Sequence, residues 1–197
     1  MKRKALTMAD DNLDLAIGAR IKELRIARGL TLDELANASA VSRAMISRIE
    51  RAEACPTASL LSRLCAALGL SLSAFFAEED MEVSPLARRE QQAIWRDPGT
   101  GYVRRSVSPP GTGSKVDVVE VSFPAGARVI FPPNTASADM TQHVWLFEGE
   151  MEVTHRDVVH RLMPGDCLFM GVGDGHAFHN PGEVPARYSV ILDRDRS

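Results

Sequence analysis

Between residues 77 and 94 the chain changes period, and a change of period obliges a change of architecture. Residues 13–77 carry apolar side chains at helical spacing, whereas from residue 94 short β-rich runs alternate with Gly- and Pro-containing turns. A helix buries a stripe every 3.6 residues and a strand one face every two, so the two patterns cannot build one regular layer. The reading is a two-domain α + β chain. A flexible N-terminus spans 1–12, a helical domain 13–77, a charged linker without clear apolar period 78–93, and a β domain 94–197. A length of 197 residues suits two small cores better than one large one.

Charge divides along the same line. Residues 1–77 hold 11 Lys and Arg against 8 Asp and Glu, a net of +3, and residues 78–197 hold 12 against 18, a net of −6. A basic segment beside an acidic one fits a nucleic-acid-binding part attached to a part that binds something else. Cys55, Cys65 and Cys167 are odd in number and contain no CxxC pair, which fits a reducing compartment. The basic start is not followed by a signal-peptide core, and no apolar run approaches the ~20 residues of a membrane span. A cytoplasmic protein without membrane contact is expected.

The helical part is punctuated by caps. Leu13, Ile17, Ile21 and Leu24 recur at helical spacing before Gly29 ends the first helix. Thr31 followed by Glu34 is a capping box, and Ser42 repeats the cap a few residues after the second helix ends. Leu60, Leu61, Leu64, Leu68 and Leu72 supply core for two further helices. Two short, capped helices joined by a tight turn inside a bundle of about five are the layout of a helix-turn-helix. On the third helix Met45, Ile46 and Ile49 share one side, leaving Arg43, Ala44, Ser47, Arg48 and Arg51 outward. A charged helix face is ordinarily just solvated. The closely spaced, capped pair favours a reader instead, because guanidinium can bond guanine twice and a small residue permits close approach in the major groove.

The run "LTLDELA…VSRAMISRIE" resembles the lambda-repressor-like helix-turn-helix of the XRE family. The resemblance implies a five-helix bundle in which Arg43, Ala44, Ser47 and Arg48 face base edges, with Thr31, Ser42 and Arg51 near phosphates. It also implies a buried pair between Arg25 and Glu50. Ala52 stands where the family commonly has glycine; a left-handed residue there would be strained, so the third helix is expected to run on. Such units act as two-fold dimers on near-palindromic double-stranded operators.

In the β part, Gln142, Val144 and Leu146 share one strand face and His143, Trp145 and Phe147 the other; His176 and Phe178 likewise lie opposite Ala177 and His179. One face suits a cavity and the other a second sheet or a partner subunit. The stretch "QHVWLFEGEMEVTH…HRLMPGDCLFMGVGDGHAFHNPG" resembles a cupin β-barrel, or jelly roll. Metal-binding cupins use two histidines and a glutamate before the first glycine turn and a histidine before the second. The matching positions here are Thr141 and Gln142, with no histidine between Asn134 and Gln142, so only His176 remains. One imidazole with an amide and a hydroxyl is a poor metal site. No metal, no cofactor and no catalytic residues are expected. The expected effector pocket comprises Gln142, Val144, His176 and Phe178, with Arg187 nearby. Phe131, Trp145 and Tyr188 are assigned to core packing or a dimer seam.

Joined, the two resemblances imply a sequence-specific transcriptional regulator, a repressor by family habit. Its cupin part senses a small organic effector or stabilises a homodimer. The alternative is a metal-dependent cupin enzyme fused to a DNA-binding domain.

Overall fold

The computed structural model describes residues 10–70, 72–76, 84–133 and 137–193. The expected flexible N-terminus lies, through residue 9, outside the described residues, as do residues 77–83 of the expected linker.

Helices α1 (Asp10–Ala27), α2 (Leu32–Ser39), α3 (Arg43–Glu50), α4 (Ala58–Ala67) and α5 (Leu72–Phe76) make the N-terminal part. Their shared core is Ile17, Ile21, Leu35, Ile46, Ile49, Leu61, Leu64 and Leu68, all buried. The capping box closes as its sequence requires: the Thr31 amide donates to the Glu34 carboxylate at 2.7 Å, and the Glu34 amide to Thr31 Oγ1 at 3.2 Å. Ser42 Oγ accepts from the Met45 amide at 3.3 Å.

Between α1 and α3, Arg25 grips Glu50 with two bonds, Nε to Oε1 at 2.6 Å and Nη2 to Oε2 at 2.9 Å. Its Nη1 donates to the Leu30 carbonyl at 2.8 Å. The bond to Glu50 raises the guanidinium's pKa further above its usual value, against the effect of burial. Gly18 permits this crossing, because a Cβ there would overlap the Ile49 carbonyl.

The end of α3 differs from expectation. The helix stops at Glu50, and Ala52 adopts a left-handed φ of 55°. The Ala52 amide bonds the Ile49 carbonyl and the Glu53 amide the Arg48 carbonyl, both at 2.8 Å, so the turn satisfies terminal carbonyls that a longer helix would have carried elsewhere.

The strands are β1 (Ile94–Arg96), β2 (Val103–Ser106), β3 (Val116–Phe123), β4 (Arg128–Phe131), β5 (Thr141–Glu148), β6 (Met151–His155), β7 (Val158–Leu162), β8 (Cys167–Gly171), β9 (His176–His179) and β10 (Ala186–Asp193). They form two antiparallel sheets, ordered β1-β2-β3-β10-β5-β8 and β4-β9-β6-β7. Among the described strands no ladder closes these sheets into a ring, so the expected barrel is an open sandwich.

The helical and β parts are joined by specific bonds. The buried Asp97, in the turn after β1, accepts from the Ala58 amide at 2.7 Å through one oxygen, adding a cap to the start of α4. Its other oxygen accepts from the Thr100 amide and hydroxyl at 2.8 and 2.6 Å. Phe76 of α5 packs on Trp95 of β1 with ring centroids 5.6 Å apart.

Candidate functional site

The structure presents two sites, one on α3 and one between the sheets. On α3, Met45 is partly buried while Ile46 and Ile49 are buried, which turns Arg43, Ala44 and Arg48 to solvent. Ser42, Arg51 and Thr31 are also exposed, and Ser47 is half-buried. Contacts link α3 to the start of α2 through Arg43 and Asp33, and Arg51 to Ser47 along α3.

Their partners differ. Arg43 lies 3.4 Å from Asp33 in a pair open to water at both ends, which holds it weakly. Arg51 is held more firmly, through Nε and Nη2 to the Glu53 carboxylate at 2.7 and 2.8 Å and through Nη1 to Ser47 Oγ. This pairing keeps the Glu53 carboxyl below the usual carboxylate range. The sequence reading missed Glu53, an acid inside the basic face. It also missed Arg63 of α4, whose guanidinium donates to the Ser39 carbonyl at 3.0 Å and to the Ala40 carbonyl, fixing the turn between α2 and α3.

The second site is a cavity of about 110 Å³ between the sheets. Gln142, His176 and Phe178 line it, as do Phe131 and Tyr188, which the sequence reading had assigned to packing. Val144 is fully buried on the same strand face as Gln142 but is not part of the lining. Trp145 points outward, 45 % exposed. Arg187 is also away from the cavity, bonded to Glu148 at 2.6 Å and stacked over Phe147. Its strand parity explains this: Tyr188 takes the inward position, so its neighbour cannot.

Three features of the cavity and its surroundings were not legible in the sequence. Ser62 of α4, Leu70 and Leu72 of α5 form part of the wall, so the helical domain itself encloses the cavity. Arg104 of β2, only 6 % exposed, also lines it. Finally, His155 of β6 lies directly opposite His176 in the β6–β9 ladder, placing two imidazoles side by side. A contiguous series of rings runs from Phe76 through Trp95, Tyr102, Phe123 and Tyr188 to Phe178, each within 6.2 Å of the next.

The donors around His176 do not suit a metal. Phe131 and Phe178 pack on its ring at 5.1 and 5.3 Å, and the donor that the ladder sets beside it is the single imidazole of His155. Among the described residues no three His, Cys, Asp or Glu side chains are placed to hold an ion. Burial, reinforced by His155, pushes the His176 pKa down to about 4 from 6.5. The unfolded chain therefore takes up this proton near pH 6.5 and the native chain only near 4, so native stability declines as pH falls through that window. The expected loss between pH 7 and 4 is at most about 3 kcal/mol. Melting temperatures measured across this range should drop less steeply in His176→Leu; parallel profiles would exclude His176 as the group responsible.

Comparison with known proteins divides the chain in the same place. Residues 21–75 match a family model described as helix-turn-helix, and residues 119–192 one described as cupin domain. The HTH-type transcriptional regulator SutR of Escherichia coli (strain K12) is 24 % identical over 187 residues, covering 95 % of this chain and 99 % of SutR. PuuR, another HTH-type transcriptional regulator from the same strain, is 26 % identical over 178 residues, covering 88 % and 91 %. The crystal structure of an HTH_3 family transcriptional regulator from Vibrio cholerae shares the fold with a TM-score of 0.79 at 24 % identity, over 95 % of this chain and 100 % of that one.

Proposed function

The chain belongs to the XRE-type helix-turn-helix transcriptional regulators that carry a cupin domain, and we propose that its cupin cavity binds a small organic effector that sets operator affinity. The observation that supports this is the shared wall. Ser62 faces the cavity while Arg63, the next residue of α4, holds the turn that aims α3. A ligand that prefers one placement of α4 thereby favours one placement of the reading helix, and its differential affinity for the two states becomes a change in operator affinity.

On DNA, Arg43, Ala44, Ser47 and Arg48 read base edges, and Thr31, Ser42 and Arg51 contact phosphates. Glu53 competes with phosphate for Arg51 in the free protein. Repression is the simplest consequence, since a dimer seated on an operator excludes other proteins from it. The cupin domain acts as a sensor rather than an enzyme, a reading supported by the curated relatives, which match over nearly their whole length and are named transcriptional regulators. A regulator of this kind works in the cytoplasm, and no described helix is long and apolar enough to cross a membrane.

The test fills the cavity from the helical side. Ser62→Phe, with native folding verified by circular dichroism, should change the Kd for an operator selected from genomic DNA by about fivefold or more in either direction. An unchanged Kd would separate the cavity from DNA reading.

Two half-sites require two copies of α3. The outer face of β5 and β8 supplies the seam: His143 against Phe169 at 5.0 Å and Trp145 against Phe147 at 4.9 Å, with Trp145 and Phe169 45 % and 59 % exposed. Arg187 and Glu148 at its edge offer both charge signs, which a two-fold axis can pair. Trp145→Glu combined with Phe169→Glu should convert the dimer to monomer in sedimentation velocity and weaken operator binding with it. A dimer that persists would place the seam elsewhere.

A further inference from the structure

Resting on the effector reading above, we propose that the cavity takes a small uncharged molecule with an apolar body and a hydroxyl group, and that Gln142 of β5 holds the hydroxyl oxygen. Gln142 is 3 % exposed and lines the cavity, yet its Nε2 has no hydrogen-bond partner. Buried donors in native proteins nearly always find an acceptor, because leaving one unmet forfeits its hydration without return. The orphaned amide therefore marks a position that an acceptor atom of a ligand fills.

A second orphaned atom narrows the chemistry. His176 lines the same cavity, and its Nδ1 is buried without a hydrogen-bond partner. Burial, with His155 opposite it in the ladder, keeps this ring neutral at physiological pH. A neutral imidazole presents at Nδ1 either an N–H or a lone pair. A carbonyl oxygen answers only the first, whereas a hydroxyl, donor and acceptor at once, answers both and also accepts from an amide such as Gln142.

The remaining wall fixes the charge and the body of the ligand. Arg104 is met within the protein: it bonds Ser106 Oγ at 3.0 Å and lies in the field of the Asp117 carboxylate. No described Asp or Glu lines the cavity, and burial keeps Tyr102 and Tyr188 protonated. An ionised ligand would thus bring a charge into the cavity without a free counter-charge to receive it, and would lose its hydration there. An uncharged one avoids that loss. Val121, Val190 and Leu192 offer apolar surface, so the body is apolar. A cavity of about 110 Å³ is somewhat smaller than the roughly 150 Å³ that accommodates benzene, which limits the body to roughly five carbons, as a chain or a ring.

The experiment varies charge at constant skeleton and then removes the amide. Thermal melting of the full-length protein is recorded with straight-chain butanol and pentanol and with cyclopentanol. Each is set against the amine and the carboxylate of the same skeleton at equal ionic strength. At least one alcohol should raise the Tm above its amine and carboxylate. Gln142→Leu removes the unmet donor at nearly constant volume, so the ligand-free Tm should stay level or rise while that alcohol binds about fivefold or more weakly in calorimetry. A lower ligand-free Tm, the mark of an amide already bonded within the protein, or an unaltered alcohol affinity overturns the assignment to Gln142. A Gln142→Leu chain that fails to fold counts the same way and leaves the ligand class to the wild-type series. An amine or carboxylate that stabilises as much as its alcohol overturns the uncharged class and leaves effector binding standing. No shift from any of the three classes overturns the proposal and counts against effector binding as well.

Discussion

Replacing Glu50 by alanine is expected to cost about 3 kcal/mol of stability. Glu50 is 7 % and Arg25 13 % exposed in the pair that ties α1 to the end of α3. Removing the carboxylate deletes two charge-assisted bonds and leaves a guanidinium with little access to water, its remaining bond going to the Leu30 carbonyl. The figure lies at the low end for a broken buried pair because one edge of Arg25 still meets solvent. Urea denaturation checks it directly, and the double exchange Arg25→Met with Glu50→Leu should recover much of the loss by removing both charges together. An unchanged midpoint for Glu50→Ala would mean the pair contributes nothing net.

The double exchange Arg43→Ala with Arg48→Ala is expected to reduce specific operator binding by roughly 2 to 6 kcal/mol, at about 1 to 3 per base contact. Both side chains are exposed, and Arg43 has only a weak, hydrated pair with Asp33 to lose. Folding should therefore be untouched, which separates this variant from Glu50→Ala. Fluorescence anisotropy on selected operator and on unrelated DNA gives the ratio that matters, since phosphate contacts contribute to both. A preserved ratio would mean that another helix reads the bases.

Local patterns were legible wherever the physics is local. Thr31 and Glu34 announce a cap three residues apart, and the alternation from Gln142 to Phe147 separates cavity side from outer side before any packing is known. What escaped reading depends on contacts between distant segments. Gly18 looks like an ordinary helical glycine until α3 crosses it. Arg104, in a strand of mixed polarity, looks solvated until α5 covers it. Asp97 reads as a turn residue, yet it also caps α4 across the domain junction. Ala52 misled for a different reason. Its side chain argues against a left-handed turn, but the two carbonyls satisfied there outweigh that local preference.

The central claim is that the cavity and the operator are linked sites, and linkage between two binding equilibria is reciprocal. The most direct measurement is therefore a calorimetric titration of the wild-type protein with a small organic ligand that raises its Tm, once free and once saturated with selected operator. Ligand affinity should differ between the two titrations by about fivefold or more, and operator affinity should change by the same factor when the ligand is saturating. A ligand that binds with one affinity regardless of operator would contradict the account, because the wall shared by α4 and the cupin domain would then transmit nothing.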